Sequence, residues 1–273
     1  MKLSVSNIAW PLEEQNKFLA LIKELGCSGV EIAPSIIWPD PIHSSVRERI
    51  EYKKLIHNFG LEIPAIHALL YGEKNLGLFR DEKTELRTIK FLKDMCFLAS
   101  DLGAKILVFG SPQNRRRGTI PLDQAFERAA KFFNKIAPTA KDLGVKLCIE
   151  PLCPDETDFI STVEEGIRLV EMINHSGFSL HLDGKAVSAQ GKPFVDLIEK
   201  AMRYLEHFHI NDSGLKEINS TGSIDHASLA HALHEAKYSR YISVEMRKGP
   251  NYFDAVRRSI IFTRKTYLER NDN

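Results

Sequence analysis

The chain is poor in cysteine and has no cysteine pair of the kind that holds zinc or a redox disulfide. A C-x-x-C spacing is the usual sign of such a centre. None of the cysteines is spaced in this way; they lie far apart or inside apolar runs, at Cys27, Cys96, Cys148 and Cys153. We interpret them as buried free thiols.

An excess of charge and a long apolar run are also missing. The 37 Lys and Arg residues against 36 Asp and Glu leave a formal net charge of +1. Without an overall basic field, nucleic acid is disfavoured as a partner. No stretch approaches the length of a membrane span, and the first residues have no apolar signal core. We therefore expect a cytoplasmic protein without a membrane partner.

The G-x-G-x-x-G turn of dinucleotide-binding sheets does not follow the first predicted strand. Instead, one joint recurs, in which Leu-Gly or Phe-Gly precedes a short apolar segment, at Gly26, Gly60, Gly103 and Gly144. A glycine in the left-handed conformation often ends a helix, and a short apolar run with branched residues is typical of a buried parallel strand. Each joint thus predicts a helix that ends at the glycine and a strand that follows it.

Eight such units can be placed along the 273 residues. Strands are predicted near 3–9, 28–33, 61–67, 104–110, 145–150, 178–183, 205–211 and 241–246. Helices are predicted near 13–25, 44–59, 82–102, 121–143, 162–175, 191–203, 226–237 and 252–268. Eight alternating units favour a closed (β/α)₈ TIM barrel over an open doubly wound sheet. Since no linker interrupts them, we predict a single domain over residues 1–273.

Four predicted strands end in polar groups that an apolar core would not select: Glu150, Asp183, His209 and Glu245. The carboxyl ends of barrel strands carry the catalytic groups. Buried carboxylates repel one another and lose hydration, so three of them together with an imidazole indicate a cation. The oxygen-rich set favours one Mn²⁺, Mg²⁺ or Co²⁺ ion, with Zn²⁺ as a further option. Taken singly, each residue could instead cap a helix or form a structural ion pair.

The same segments carry a family resemblance. It rests on Ile149-Glu150-Pro151, Leu182-Asp183, His207-Phe208-His209-Ile210-Asn211-Asp212-Ser213, Gly222-Ser223-Ile224-Asp225 and Val244-Glu245. In this order the segments resemble the xylose isomerase-like TIM-barrel superfamily, whose branches include D-tagatose 3-epimerase, hydroxypyruvate isomerase, inosose dehydratase and endonuclease IV.

The resemblance implies a function as well as a fold. In the epimerase branch the corresponding four residues bind one metal ion, which would make Glu150 and Glu245 the acid and base as well as ligands. A metal that chelates a carbonyl and the adjacent hydroxyl stabilises an enediolate and eases removal of the neighbouring C–H proton. We therefore expect an isomerase or epimerase acting on a small sugar, sugar phosphate or keto acid.

Departures from the epimerase pattern keep other functions open. Ala186 stands where the pattern D-x-x-H has histidine, and only Lys216 replaces an arginine that commonly follows the metal histidine. A sugar dehydratase is the first alternative. An apurinic endonuclease-like phosphodiesterase is weaker, because Gly110 and Ala186 occupy positions where it needs histidines. A sugar-binding barrel without catalysis is the third.

Two further residues near the strand ends are candidate substrate contacts, and two more are candidate neighbours of the site residues. His67 ends the third predicted strand, and Lys185 follows the aspartate of the sixth. Both are candidate substrate contacts, although a core histidine and a solvated lysine are the simpler interpretations. Residues two apart on a strand share a face, so His181 and His207 are predicted to lie behind Asp183 and His209.

The loop 111–118 holds the dense basic cluster Arg115, Arg116 and Arg117. Guanidinium groups suit a carboxylate or phosphate, so these residues are candidate contacts to an anionic substrate. A solvated loop or a subunit contact is the alternative, and the sequence is compatible with a homo-oligomer. Trp10 lies in a loop at the same face and is a candidate wall of a sugar pocket, with core packing as its alternative.

Overall fold

A computed structural model of the protein describes residues 1–269 and contains a barrel of eight parallel strands. Their order is β2-β1-β8-β7-β6-β5-β4-β3. Parallel bridges from Gly29 to Glu62 and from Ile32 to Ile66 join the two ends of this order, so the sheet closes on itself. The predicted barrel is confirmed, with strands β1 (Lys2–Ser6), β2 (Gly29–Glu31), β3 (Ala65–Ile66), β4 (Ile106–Phe109), β5 (Lys146–Ile149), β6 (Phe178–Asp183), β7 (Leu205–Ile210) and β8 (Tyr241–Val244).

Helices connect the strands and pack against the outside of the barrel. They are α1 (Gln15–Glu24), α2 (Pro34–Ile37), α3 (Val46–Asn58), α4 (Glu82–Leu102), α5 (Leu122–Asn134), α6 (Ala137–Asp142), α7 (Val163–Ile173), α8 (Gly184–Ser188), α9 (Phe194–Ala201), α10 (His226–Glu235) and α11 (Tyr252–Thr263). Within residues 1–269, none of the helices combines the length and apolarity that a membrane crossing requires.

The repeated glycine joint is confirmed. Gly103 ends α4 in the left-handed conformation, with φ of 81°, and its N–H donates to carbonyl oxygens of the last turn. The glycines of the other three joints also have positive φ. A side chain is strained at such an angle, which explains why glycine recurs where each helix turns back toward the barrel.

The element bounds differ from the prediction where proline interrupts a pattern. The helix predicted over 121–143 is divided into α5 and α6, and Pro138 stands in the first turn of α6, where its missing N–H costs no hydrogen bond. The strand predicted over 61–67 is reduced to Ala65–Ile66 directly after Pro64. The predicted single domain includes residues 270–273, which lie outside the described residues, so its full extent stays a prediction.

Strand alternation divides the side chains between two environments. On β6, Leu180 and Leu182 belong to the main apolar core under the helices, whereas His181 and Asp183 do not. On β7, Phe208 likewise belongs to this apolar core. Because successive strand residues point to opposite faces, the intervening polar side chains point into the barrel. The interior of the barrel therefore contains buried polar side chains, and some of them form the candidate site.

Candidate active site

The four residues predicted to bind a metal lie together at the carboxyl ends of β5 to β8. Nδ1 of His209 is 3.3 Å from Oε2 of Glu245 and 3.9 Å from Oε1 of Glu150. Asp183 joins them through Asn211, whose Nδ2 donates to Asp183 Oδ2 at 2.6 Å and to Glu245 Oε2 at 3.2 Å. These contacts thus link three carboxylates and one imidazole, and we call Glu150, Asp183, His209 and Glu245 the cluster.

Backbone pairing and short contacts hold these side chains. The amide of Glu150 donates to the carbonyl of Phe109, and that of Glu245 donates to the carbonyl of Ile210, which extends the parallel ladder by one residue on each strand. Asp183 also caps α8, because its Oδ1 accepts from the amide of Ala186 at 2.5 Å. One oxygen of Asp183 therefore caps α8, which agrees with the alternative interpretation of this residue as a helix cap. The other oxygen accepts from Asn211, which also contacts Glu245.

The carboxylates of the cluster have opposed electrostatic environments. Burial raises the pKa of Glu150 well above its ordinary range, and the negative charge of Asp183 adds to this. Burial also acts to raise the pKa of Glu245, but the charge of His209 outweighs it and holds that pKa well below the ordinary range. The negative charges of Glu150 and Asp183 therefore oppose each other, whereas the imidazole of His209 stabilises the charged form of Glu245.

The donor set fits a divalent cation. Nδ1 of His209 is buried and has no hydrogen-bond partner within residues 1–269. An unpartnered buried nitrogen is costly, yet this one faces the carboxylates of Glu150 and Glu245. Oxygen ligands with one imidazole suit Mn²⁺, Mg²⁺ or Co²⁺, and Zn²⁺ accepts the same atoms.

Glu31 is a buried carboxylate that the sequence analysis did not assign. It is 0% exposed at the end of β2, and its Oε1 is 2.9 Å from Nε2 of His209 and 3.3 Å from Nε2 of His207. The signal was the same as for the other strands, a carboxylate at the end of an apolar segment. It was hidden because Ile32 and Ala33 continue the apolar run and moved the predicted strand end to residue 33.

Two other histidines lie around the cluster. Nε2 of His67 is 2.7 Å from Oγ of Ser6, and its Nδ1 is 3.4 Å from Oε1 of Glu245. His181 is fully buried, with Nε2 at 3.5 Å from Oε1 of Glu150. Each of these histidines therefore lies beside one of the two glutamates. A direct contact of His67 with substrate stays a prediction.

Lys185 lines a cavity at the carboxyl end of the barrel. The cavity has a volume of about 420 Å³ and lies between the segments that follow β5, β6 and β7. Nζ of Lys185 is 2.8 Å from Oε1 of Glu156, another residue that the sequence analysis did not assign.

Trp10 is buried and stacks on Phe18 with ring centroids 5.0 Å apart. Its contacts are those of core packing, and its predicted role in a sugar pocket has no contact in its favour.

The three arginines of the loop 111–118 are tied to backbone carbonyls. Arg115 is 0% exposed, and its guanidinium group donates to Glu150 O at 2.7 Å and to Ile160 O at 3.1 Å. Arg116 donates to the carbonyl of Glu156, and Arg117 donates to the carbonyls of Asp158 and Ile120. These contacts hold the loop against segment 150–160. Substrate recognition by the arginines stays a prediction that none of these contacts supports.

Two curated relatives are D-psicose 3-epimerases. The protein from Agrobacterium fabrum (strain C58 / ATCC 33970) is 29% identical over 127 residues, which are 46% of this chain and 44% of that protein. This match therefore spans less than half of that relative's length. The protein from Ruminiclostridium cellulolyticum is 22% identical over 248 residues, covering 90% of this chain and 83% of that protein.

Solved structures share the fold over nearly the whole chain. A D-psicose 3-epimerase crystallised in the presence of D-fructose matches with a TM-score of 0.82 and 19% identity, covering 98% of this chain and 100% of that one. The IOLI protein with a bound zinc atom matches with a TM-score of 0.71 and 21% identity, covering 99% of this chain and 100% of that one.

The family assignment follows from the sequence match, and the closed barrel agrees with it. Residues 19–266 match the family described as xylose isomerase-like TIM barrel. This range begins in α1 and ends beyond α11, so it contains all four strand ends that carry the cluster. The chain belongs to the xylose isomerase-like TIM-barrel family.

Proposed function

We propose that this protein is a divalent-metal-dependent isomerase or epimerase of a small sugar, sugar phosphate or keto acid. The observation that carries the proposal is the buried Nδ1 of His209, which lacks a hydrogen-bond partner within residues 1–269 and faces the carboxylates of Glu150 and Glu245. Asp183 completes the set through Asn211. Such a set is suited to a cation and to proton transfer at the same place.

Glu150, Asp183, His209 and Glu245 would hold the metal ion. When bound, a divalent ion supplies positive charge to a sugar carbonyl and the adjacent hydroxyl, which acidifies the neighbouring C–H bond. Mn²⁺, Mg²⁺ and Co²⁺ suit the three carboxylates, and the imidazole nitrogen keeps Zn²⁺ among the candidates.

The two glutamates would move the proton. Carboxyl groups whose pKa values are driven apart by their surroundings are suited to complementary acid and base roles. The pKa of Glu150 is raised by burial and by Asp183, whereas the pKa of Glu245 is lowered chiefly by His209 against the effect of burial. Glu245 would accept a proton from the carbon next to the carbonyl, and Glu150 would return one on the other side. Reversal of the two roles gives the reverse reaction.

Buried neighbours would keep the glutamates in place. Nδ2 of Asn211 donates to Oε2 of Glu245 at 3.2 Å, and His67 lies 3.4 Å from the other oxygen of this carboxylate. Arg115 holds the main-chain carbonyl of Glu150 at 2.7 Å. These contacts would limit the movement of the two glutamates, as proton exchange with a bound sugar requires.

The relatives support this class of reaction. Both curated relatives described above are named D-psicose 3-epimerases, and one of them matches over 90% of this chain. Epimerisation next to a ketone is removal and return of one proton, which is the chemistry that two glutamates at a cationic site can perform. A ketose is therefore the first substrate class to test.

The decisive experiment measures metal-dependent proton exchange. The protein is stripped with a chelator, reloaded separately with Mn²⁺, Mg²⁺, Co²⁺ or Zn²⁺, and incubated in D₂O with a panel of ketoses and ketose phosphates. We expect turnover only after reloading, with deuterium appearing at the carbon next to the carbonyl. Undiminished turnover after complete stripping, or a product that contains no solvent deuterium, would contradict the proposal.

A pair of histidine variants tests the site itself. His209→Gln should lose metal binding, because it removes the imidazole nitrogen that faces the carboxylates. His231→Gln is the matched control, since His231 is exposed on α10. Equal metal binding by both variants would show that the ion binds elsewhere.

A further inference from the structure

The imidazole of His209 lies between two carboxylates of different kinds. Its Nδ1 faces the proposed metal ligands, at 3.3 Å from Oε2 of Glu245. Its Nε2 points to the opposite side, where it is 2.9 Å from Oε1 of Glu31. A neutral imidazole carries one proton, so one of its nitrogens donates and the other offers a lone pair. Which nitrogen holds the proton decides whether His209 can be a ligand at Nδ1.

Glu31 is placed to accept a hydrogen bond from a proton on Nε2 of His209. Its side chain is fully buried at the end of β2 and has no contact with bulk water. Oε1 also lies 3.3 Å from Nε2 of His207, whereas Oε2 has no hydrogen-bond partner within residues 1–269. A buried carboxylate needs donors to remain charged, and the shortest contact available to Glu31 is the one from His209.

The position of Glu31 separates it from the metal ligands. The strand order places β2 and β7 apart, with β1 and β8 between them, so Glu31 reaches His209 across the lumen. It contacts His209 at Nε2, whereas Glu150 and Glu245 lie near Nδ1. A carboxylate in this place acts on the ligand and not on the ion.

We propose that Glu31 is a positioning residue that holds the proton of His209 on Nε2 and thereby presents Nδ1 as a ready metal ligand. This inference rests on the proposed function. The hydrogen bond fixes the tautomer and the ring orientation, and it makes Nδ1 a stronger electron donor. A residue that only filled space would do neither.

The test compares Glu31→Gln with a matched control. Glutamine keeps the volume of the side chain and removes its charge. Glu62→Gln removes the same charge from a side chain that is 60% exposed. Metal-free wild type and both variants are titrated with Mn²⁺ by calorimetry, and thermal unfolding verifies that each is folded. We expect Glu31→Gln to weaken Mn²⁺ binding by about 10- to 100-fold, the usual effect of losing such a partner, and Glu62→Gln to leave it unchanged.

A spectroscopic measurement identifies the nitrogen that carries the proton. Protein with ¹⁵N-labelled histidine is loaded with Zn²⁺, which is diamagnetic, and the His209 signals are assigned by their loss in His209→Gln. We expect a proton on Nε2 and the metal on Nδ1, and we expect the Nε2 proton resonance to move in Glu31→Gln. This measurement on wild type decides the proposal even if Glu31→Gln does not fold.

The outcomes separate this inference from the function on which it rests. If wild type binds no divalent ion, the proposed function fails and this inference fails with it. If wild type binds Mn²⁺ and a folded Glu31→Gln binds it equally well, only the role of Glu31 is overturned. A proton found on Nδ1, with the metal on Nε2, also overturns it.

Discussion

The carboxylate of Glu150 lies directly against Gly110, so closely that a methyl group at position 110 would overlap Oε2 of Glu150. Gly110 is not among the glycines with positive φ, so its backbone angle does not require glycine. Glycine is required instead because the carboxylate of Glu150 occupies the space that a side chain at position 110 would need. The residue after β4 therefore leaves room for a side chain that extends from the end of β5.

Replacing Gly110 by alanine should displace the Glu150 carboxylate. A shift of about 1 Å in a catalytic group can cost about 100-fold in rate, so we expect a fall of that order in kcat/KM with little loss of stability. Gly249→Ala is the control, because nothing lies within 4 Å of a side chain added there. Kinetics on the identified substrate and thermal unfolding measure the two effects. Wild-type kcat/KM in Gly110→Ala would show that catalysis does not depend on the position of the Glu150 carboxylate beside Gly110.

Glu150→Gln and Glu245→Gln should each lower kcat by about 100-fold or more, because glutamine keeps the volume but cannot exchange a proton. Turnover and the free energy of unfolding are measured for each variant. Glu199→Gln, on the exposed surface of α9, provides the matched loss of charge. A folded Glu150→Gln or Glu245→Gln enzyme with wild-type turnover on an identified substrate would refute the assignment.

Asp212 should contribute stability that depends on pH. Burial acts to raise its pKa, but hydrogen bonds from Ser223 and Thr221 outweigh this and lower the pKa below its ordinary value of 3.8. A carboxyl with a lowered pKa stabilises the fold above its unfolded value, and this contribution is lost as the pH falls through the folded value.

Asp212→Asn should therefore be less stable than wild type at neutral pH. The difference should shrink as the pH falls below about 3.8, the ordinary aspartate value. Urea unfolding at several pH values measures it, with Asp196→Asn, exposed on α9, as the control. A difference that stays constant across this range would show that the charge of Asp212 is not the source.

Arg115 should be more important for stability than its loop position suggests. Arg115→Met removes the guanidinium donor from the carbonyl of Glu150 and leaves the carbonyl of Ile160 with the amide of Leu152 alone. A buried polar group without a partner costs about 1–3 kcal/mol. We expect a loss of about 1–3 kcal/mol in the free energy of unfolding on that basis. Arg116→Met, at an exposed position, should cost less than about 1 kcal/mol.

The same loop gives a test of the sequence-based prediction of an anionic substrate. If Arg116 or Arg117 recognises a phosphate or carboxylate, replacing it by glutamine should raise KM for an acidic sugar much more than for a neutral one. Equal effects on both substrates would leave the loop with the structural role that its contacts to Glu156 and Asp158 indicate.

The sequence by itself determined the barrel and indicated one side of the candidate site. The recurring glycine joints and the short apolar strands are local signals, and eight of them in alternation leave few arrangements of the chain. Glu150, Asp183, His209 and Glu245 were recognisable because each stands at the end of its own strand. Such a position depends on a few neighbouring residues, so it can be read along the chain.

Only the tertiary structure decided which groups meet across the lumen. Glu31 and His209 are 178 residues apart, and their contact exists because the barrel closes and turns both side chains inward. The burial of Arg115 was equally invisible, because its partners are backbone carbonyls, which every residue has. Local patterns report which face a side chain takes; they do not report what lies opposite, since that is set by strand order and by closure of the sheet.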